Sequence, residues 1–305
     1  MKPNHIPVLL AETIQVLAPQ QGDRMLDLTL GLGGHSEALL NAVSGNASLV
    51  ALDADVENIA IATERLKKFG SAVDVIHANF GNLPECLPQG KRMFDLILAD
   101  LGLSSPHIDD PLRGFTFRAD APLDMRFDRS SGMTAAMLLA SLDPERLRKI
   151  FWEYGELPKV RHLVDEIVRR RSESPVRTSK DLVDIASLVY GYKASGILPQ
   201  IFQALRIAVN REIEVLQHML DSTPLLLAPG GRMAIISYHS LEDRMVKSAF
   251  RSLTADVKDF MTGSSLKVSA FQPLTKKAVT PSEEERLGNP RSRSALLRAI
   301  QRRTV

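Results

Sequence analysis

Three aspartates each close a hydrophobic run. Asp27 follows Arg24-Met-Leu, Asp53 follows Ser48-Leu-Val-Ala-Leu52, and Asp100 follows Phe94-Asp-Leu-Ile-Leu-Ala99. Between the first two lies Gly31-Leu-Gly33-Gly34-His35-Ser36. Glycines there let the backbone approach a ligand closely, and a helix opening after them offers its first amides to that ligand. Asp53, about 20 residues on, stands where an acid that binds ribose hydroxyls belongs. The ordered set reads as a site for an adenosine-containing cofactor. The spacing G-x-G-G departs from the dinucleotide pattern G-x-G-x-x-G, and nothing matches G-x-x-x-x-G-K-[ST]. Three acids repel a pyrophosphate but accept a sulfonium and an amino-acid head group. S-adenosylmethionine is therefore favoured over NAD. Taken singly, each Asp or Gly is more readily an ordinary turn or capping residue.

Asp100 opens a second candidate, Asp100-Leu-Gly-Leu-Ser-Ser-Pro106. The exocyclic amine of a base is a poor nucleophile because its lone pair is delocalised into the ring. A carboxylate that accepts its N–H bonds localises that pair, and holding amine and methyl in line supplies much of the remaining acceleration. Asp100 can play this part or bind the cofactor, and the two roles are not separable at this level.

The elements that must position these residues alternate. Strands are expected at Arg24 to Thr29, Ser48 to Leu52, Ala72 to Ile76, Phe94 to Ala99 and Arg232 to Ser237, with a last one at Val268 to Phe271. Helices are expected from about Pro7 to Leu17, Ser36 to Val43, Val56 to Lys68 and Leu241 to Leu253. Strands alternating with helices imply crossover units and a parallel sheet, hence an α/β class. From His107 to about Gln200 only helical periods occur. Phe202, Leu205, Val209, Ile213, Leu216 and Leu220 then share one helical face. The expected division is residues 1–106 and 201–305 for an α/β domain, interrupted by an all-α insertion at 107–200.

The chain has 305 residues, 44% hydrophobic and 24% charged, with 38 Lys+Arg against 36 Asp+Glu and a net charge of +2. This composition is that of a globular protein and excludes disordered or collagen-like classes. A nucleic-acid partner would need a local basic patch rather than a global field. One cysteine, Cys86, allows no internal disulfide and fits a reducing compartment. No apolar run reaches the length of a membrane span, and the first residues lack the order of a signal peptide, so a cytoplasmic location is expected and no membrane partner. The seven histidines show no metal-ligand spacing, and no metal is expected. Arg286 to Val305 carries six arginines and no acid; such a tail is a solvated end or a phosphate-binding segment. Phe151, Trp152 and Tyr154 cluster. The first two read as core and Tyr154 as a base-stacking contact. Arg113, Phe115 and Phe117 read as a lid or a packed loop. Ser240-Leu-Glu-Asp243 fits a helix capping box.

Nine motifs in order carry a resemblance. They are His5-Ile-Pro-Val-Leu-Leu10, Asp27 to Ser36, Asp100 to Pro106, Arg113 to Phe117, Pro122 to Arg126, Tyr154-Gly-Glu156, Phe202 to Arg206 with Asn210, Ser237 to Arg244, and Asn289 to Ser294. Together they resemble the bacterial ribosomal RNA small subunit methyltransferase H family (RsmH/MraW), which methylates cytosine N4 in 16S rRNA. The resemblance implies a Rossmann-like class I SAM-dependent methyltransferase with an inserted all-α domain for substrate recognition. It implies cofactor contacts at Gly33, Gly34, His35, Asp53, Phe80, Asp100 and His107, with Asp100 as the catalytic candidate. It implies RNA contacts at Tyr154, Arg206, Asn210, Arg291 and Arg293, and a decoding-region cytidine of the small ribosomal subunit as target. The chain departs from the family's usual residues at Leu28, His107, Leu138 and Leu157. Two rivals remain: a DNA amino-methyltransferase, whose strand-four acid is usually followed by paired prolines, and a ribosome-assembly protein that binds cofactor without chemistry.

Overall fold

The computed structural model describes residues 6–88, 90, 93–258 and 265–304. His5 of the first motif lies outside them. The chain divides into two compact units, Met1–Gly102 with Val215–Val305, and Leu103–Glu214.

In the first unit the strands are β1 (Arg24–Asp27), β2 (Ser48–Asp53), β3 (Val73–His77), β4 (Phe94–Asp100) and β5 (Leu227–Ser237). They pair in parallel in the order β3-β2-β1-β4-β5. Alternate residues of each strand face opposite sides. In β4, Ile97 and Ala99 join one apolar cluster, while Leu96 and Leu98 join another. Helices α1 (Leu10–Leu17), α2 (Gly34–Ala42) and α3 (Val56–Leu66) cover one face through Leu17, Leu39, Leu40, Ala62 and Leu66. The other face is covered through Leu216 and Leu220 of a helix preceding β5 and through Val246 and Phe250 of a helix following it. The sheet is thus doubly wound, in agreement with the α/β expectation. β1 pairs with β2 on one side and β4 on the other, so the strand order reverses between β1 and β4. In such sheets ligands bind in the crevice outside the carboxyl ends at this switch point.

The second unit contains helices only: α4 (Ser105–Asp109), α5 (Ala135–Ser141), α6 (Pro144–Glu153), α7 (Val160–Glu173), α8 (Ser179–Tyr190) and α9 (Ala194–Asn210). Its core gathers Leu139, Leu147, Phe151, Leu163, Ile167, Ile185 and Ile201. The helix starts are capped as their sequences dictate. Asp143 accepts from the Arg146 amide with Pro144 following, and Thr178 and Asp181 form a capping box. The boundary expected at 200 falls inside α9, which runs through Pro199 to Asn210. The helix ends instead at Arg211, in the left-handed region at φ 52°. The single apolar face read from Phe202 to Leu220 is consequently two helices, α9 and α10 (Glu212–Ser222). Phe202 and Leu205 pack in the core of the helical unit, and Leu216 and Leu220 in that of the sheet unit.

Two further expectations change. The arginine-rich segment is no loose tail: Leu296–Arg302 forms a strand, β9, antiparallel to β5, with Leu297, Ala299 and Ile300 buried. Its arginines are tolerated because they are partnered. Arg298 donates to Asp243 through two bonds of 2.7 and 3.0 Å, and Arg302 donates to the Leu227 carbonyl at 2.6 Å. The strand expected at Val268 to Phe271 is displaced to β8 (Phe271–Pro273), paired with β9, and a separate two-stranded ribbon joins β6 (Val257–Lys258) to β7 (Ser265–Lys267). The helix after β5 is α11 (Ser240–Thr254); its cap is His239, not Ser240, accepting from the Glu242 amide. Helix α12 (Glu283–Gly288) precedes β9. No helix among the described residues is long and apolar enough to cross a membrane.

The Arg113 to Phe117 segment is a packed loop. Arg113 is fully buried and donates to the carbonyls of Arg126 and Phe127. Phe115 stacks on Phe127 with ring centroids 5.7 Å apart. Gly114 has φ 77°, and a Cβ on it would stand 2.5 Å from the Pro122 oxygen and 2.6 Å from the Asp124 nitrogen. Gly114→Ala combines an unfavourable backbone region with a clash against fixed backbone. It is expected to destabilise the fold by about 2–4 kcal/mol, read as a lower midpoint in chemical unfolding.

Candidate active site

The carboxyl ends of β1, β2 and β4 deliver the three aspartates, which then take different tasks. Asp27 is buried. Its carboxylate accepts from the Ser36 hydroxyl at 2.6 Å and from the Thr29 amide at 3.1 Å. Burial pushes its pKa up, against the pull of those two donors. Asp27 therefore braces the glycine turn and the start of α2. Thr29 passes the constraint on, because its hydroxyl accepts from the Asp100 amide at 2.6 Å.

Asp53 ends β2 with both oxygens engaged. One accepts from the Gly31 amide at 2.7 Å; the other accepts from the Asp55 amide at 2.8 Å and the Asn58 side chain at 3.4 Å. Burial outweighs these donors and raises its pKa to about 6.

Asp100 ends β4 with its carboxylate half-exposed. One oxygen accepts from the Tyr238 hydroxyl at 2.7 Å. The other lies 3.5 Å from His35 Nε2, without the alignment of a hydrogen bond. Burial first, then the Asp100 charge, push the Tyr238 hydroxyl well above its usual range, so it keeps its proton and donates it. The Tyr238 ring lies against Gly102, whose φ is 103° and whose added Cβ would stand 3.2 Å from Tyr238 Cδ2. Sequence reasoning missed Tyr238. It follows Ser237 at the end of β5, and only the pairing of β5 with β4 brings it beside Asp100.

The glycines divide their work differently from the expectation of close backbone approach at Gly33 and Gly34. Gly33 has φ 75° and caps α2. A Cβ on it would meet Ala62 Cβ at 3.3 Å, and one on Gly34 would meet Pro7 Cγ at 2.5 Å. Those two absences of a side chain admit neighbouring protein. The open position is Gly31, where an added Cβ finds only the Thr29 oxygen, at 3.8 Å. His35, in the first turn of α2, is buried with neither ring nitrogen hydrogen-bonded among the described residues. Phe80 sits in the turn after β3, half-buried against the cluster that holds Leu52.

An S-adenosylmethionine fits these residues: an open glycine turn, a carboxylate at the end of β2 for sugar hydroxyls, buried imidazole nitrogens awaiting a polar partner, and acids suited to a sulfonium. Gly31, Gly33, Gly34, His35, Asp53, Phe80 and Asp100 all belong to the sheet unit.

Of the remaining expected residues, His107, Tyr154, Arg206 and Asn210 belong to the helical unit, and Arg291 and Arg293 to the sheet unit. His107 is buried, its Nδ1 accepts from the Ser104 amide at 3.2 Å, and its ring stacks on Phe127 with centroids 5.2 Å apart. Arg206 donates twice to the Glu212 carboxylate, at 2.8 and 2.9 Å. Asn210 accepts from the Phe127 amide at 2.8 Å and donates to the Met125 carbonyl at 2.7 Å, clamping α9 to that loop. Arg206 and Asn210, expected as RNA contacts, thus also hold the fold of the helical unit. Tyr154 is half-buried just past α6. Trp152, expected in the core, is 68% exposed, because Phe151 takes the inward position on α6. Arg291 and Arg293 lie in a short turn before β9, with Arg293 exposed. Leu28, Leu138 and Leu157, where the chain departs from the resembled pattern, are all buried core residues.

The profile of the MraW methylase family matches residues 2–303. Proteins named "Ribosomal RNA small subunit methyltransferase H" are similar along nearly their whole length. That of Thermomicrobium roseum is 41% identical, covering 98% of this chain and 93% of the relative. That of Heliobacterium mobile is 41% identical (99% and 100%), and that of Syntrophotalea carbinolica 42% (98% and 98%). With the glycine turn, the aspartate-ended strands and the match over almost every residue all agreeing, the chain belongs to the MraW methylase family.

Proposed function

We propose that this chain transfers a methyl group from S-adenosylmethionine to the exocyclic N4 of a decoding-region cytidine in 16S ribosomal RNA, acting in the cytoplasm on the small ribosomal subunit. The names of the relatives supply small-subunit ribosomal RNA, and the family resemblance supplies the cytidine N4. The observation that carries the chemistry is Asp100, at the switch point of the sheet, with one oxygen pinned by Tyr238 and the other turned to His35. When bound, the cofactor would supply an electrophilic methyl group on a sulfonium, whose sulfur–methyl bond breaks with its electron pair staying on sulfur as a neutral thioether. Asp53 would accept hydrogen bonds from the cofactor's sugar hydroxyls, and residues of the Gly31–His35 turn would help hold it.

The residues of the chain do the rest. The cytosine amine is weakly nucleophilic because its lone pair conjugates with the ring. An Asp100 oxygen that accepts an amine N–H draws the nitrogen out of that conjugation and fixes its direction. As the nitrogen gains a fourth bond its proton turns acidic, and the same oxygen is the nearest acceptor for it. Tyr238, held in its protonated form, keeps the carboxylate from swinging away. Incubation with small subunits lacking the mark, then nuclease digestion and mass spectrometry, tests the reading. A methyl group on cytosine N4 supports it; one on adenine or on ring carbon five overturns it.

Asp100→Ala removes the acceptor and is expected to lower kcat by at least about a hundredfold. Tyr238→Phe leaves the charge but frees its orientation. The expected loss is about tenfold in kcat, with cofactor affinity changed little, since the loss concerns one hydrogen bond to a charged group. Both are read in the same methylation assay.

Asp53 makes the cofactor site pH-dependent. Its folded pKa of about 6 stands above the ordinary 3.8, so ionising it weakens the fold as pH rises through that interval, and protonating it relieves the strain. Sugar hydroxyls donate to the ionised form. Cofactor binding is thus expected to release a proton near pH 6 and to weaken as pH falls below about 6, by up to about tenfold per unit. Calorimetry from pH 5 to 8 measures this, and Asp53→Asn should give weaker and pH-independent binding.

A further inference from the structure

Several cations on the helices of the helical unit are balanced locally. On α6, Arg148 pairs with Glu145 and Asp165; on α7, Arg169 donates to Glu166 at 2.6 Å and to Glu173 at 2.7 Å; on α8, Lys180 pairs with Asp184. Such surfaces present little net field to a polyanion.

Helix α11 of the sheet unit is different. Its inner side, Val246 and Phe250, packs into the core. Its outer side exposes Arg244, Lys247, Ser248, Arg251 and Ser252, and no acid occurs from Arg244 to Ser252. Positions 244, 247 and 251 fall on one helical face. The two acids of its first turn are already committed: Glu242 is buried and accepts from the Tyr238 amide at 2.8 Å, and Asp243 is held by Arg298. Lys247 and Arg251 have no ion-pair partner among the described residues.

The stripe also has a direction. β5 ends at Ser237 beside the end of β4, and α11 starts at Ser240. At 1.5 Å per residue, Arg244 lies about 6 Å from the start of the helix and Arg251 about 16 Å. The cations Lys247 and Arg251 therefore lie on the part of the helix that leads away from the sheet edge carrying Asp100, about 6 Å apart along the axis. The serine hydroxyls between the cations are further donors of the kind that contact phosphate.

We propose that this face of α11 is the track for the sugar-phosphate backbone of the RNA strand flanking the target nucleotide. The inference deepens the proposed function and rests on it. It places sequence-independent RNA affinity on the sheet unit, where Arg206 and Asn210 of the helical unit are engaged internally.

The test uses the full chain and small ribosomal subunits lacking the methyl mark, with affinity measured against salt concentration. Lys247→Ala with Arg251→Ala is expected to flatten the slope of log affinity against log salt by about 0.7 per cation, about 1.4 in all. Affinity at physiological salt should fall about tenfold, while calorimetric binding of S-adenosylmethionine stays unchanged, which also reports that the variant is folded. The pair Arg169→Ala with Lys180→Ala, whose cations are balanced in place, should leave the slope unaltered. An unaltered slope in the α11 variant overturns the proposal. So does weaker binding with the slope preserved, which would assign the face to a ribosomal protein. If the unsubstituted chain neither methylates the subunits nor shows a salt-dependent affinity for them, it is the proposed function that fails; if it does both and the α11 variant matches it, only the track fails.

Discussion

A short chain of hydrogen bonds fastens three elements of the sheet unit at one point. The buried Asp27 carboxylate takes the Ser36 hydroxyl of α2 and the Thr29 amide after β1, and the Thr29 hydroxyl takes the amide of Asp100 at the end of β4. A buried carboxylate is stable there only because it is bonded on both sides. The same bonds fix how far the glycine turn stands from the end of β4. That spacing is what a ligand at the switch point would meet, so the geometry of the site rests on a residue that is itself inaccessible to it.

Around that anchor, one residue type serves three purposes because the surroundings differ. Asp27 is closed off and structural. Asp53 is bound by two backbone amides, and burial still raises its pKa to about 6, so near neutral pH it carries a charge that the fold bears at some expense. Asp100 is half-exposed, and its hydroxyl partner is too weak an acid to give up its proton. A group that brings sugar hydroxyls to Asp53 and positive charge to the Asp100 side of this edge offsets the charges the fold holds there. That is the physical reason a sulfonium nucleoside suits it better than a pyrophosphate.

The parallel sheet was legible because each strand of its centre is a compact apolar run ended by an acid, and the glycine turn because φ values of 52° at Gly31 and 75° at Gly33 leave few other residues possible. The edge of the sheet was not legible. β9 reads as a basic tail until Asp243 and the Leu227 carbonyl are placed beside its arginines, and both are distant in sequence. Tyr238 was hidden for the same reason, since its partner Asp100 is 138 residues away. The internal bonds of Arg206 and Asn210 were not legible either. Their partners, Glu212 and the Met125–Phe127 backbone, lie past the end of α9 or far before it, where no periodicity reaches.

The departures from the family pattern follow one rule. Leu28 is buried in the sheet unit, and Leu138 and Leu157 are buried in the helical unit. An apolar side chain at such a position alters how a core is filled. None of the three is a polar group lost from the aspartate-bearing edge. His107 also fits this description: its ring is part of a stack with Phe115 and Phe127, and its Nδ1 takes the Ser104 amide at the start of α4. Glutamine, which the resembled family often carries here, can accept the same bond through its amide oxygen but cannot stack as an imidazole does. The histidine therefore goes together with the two phenylalanine rings that enclose it, and the three should be understood as one packing unit rather than as an isolated change at a binding residue.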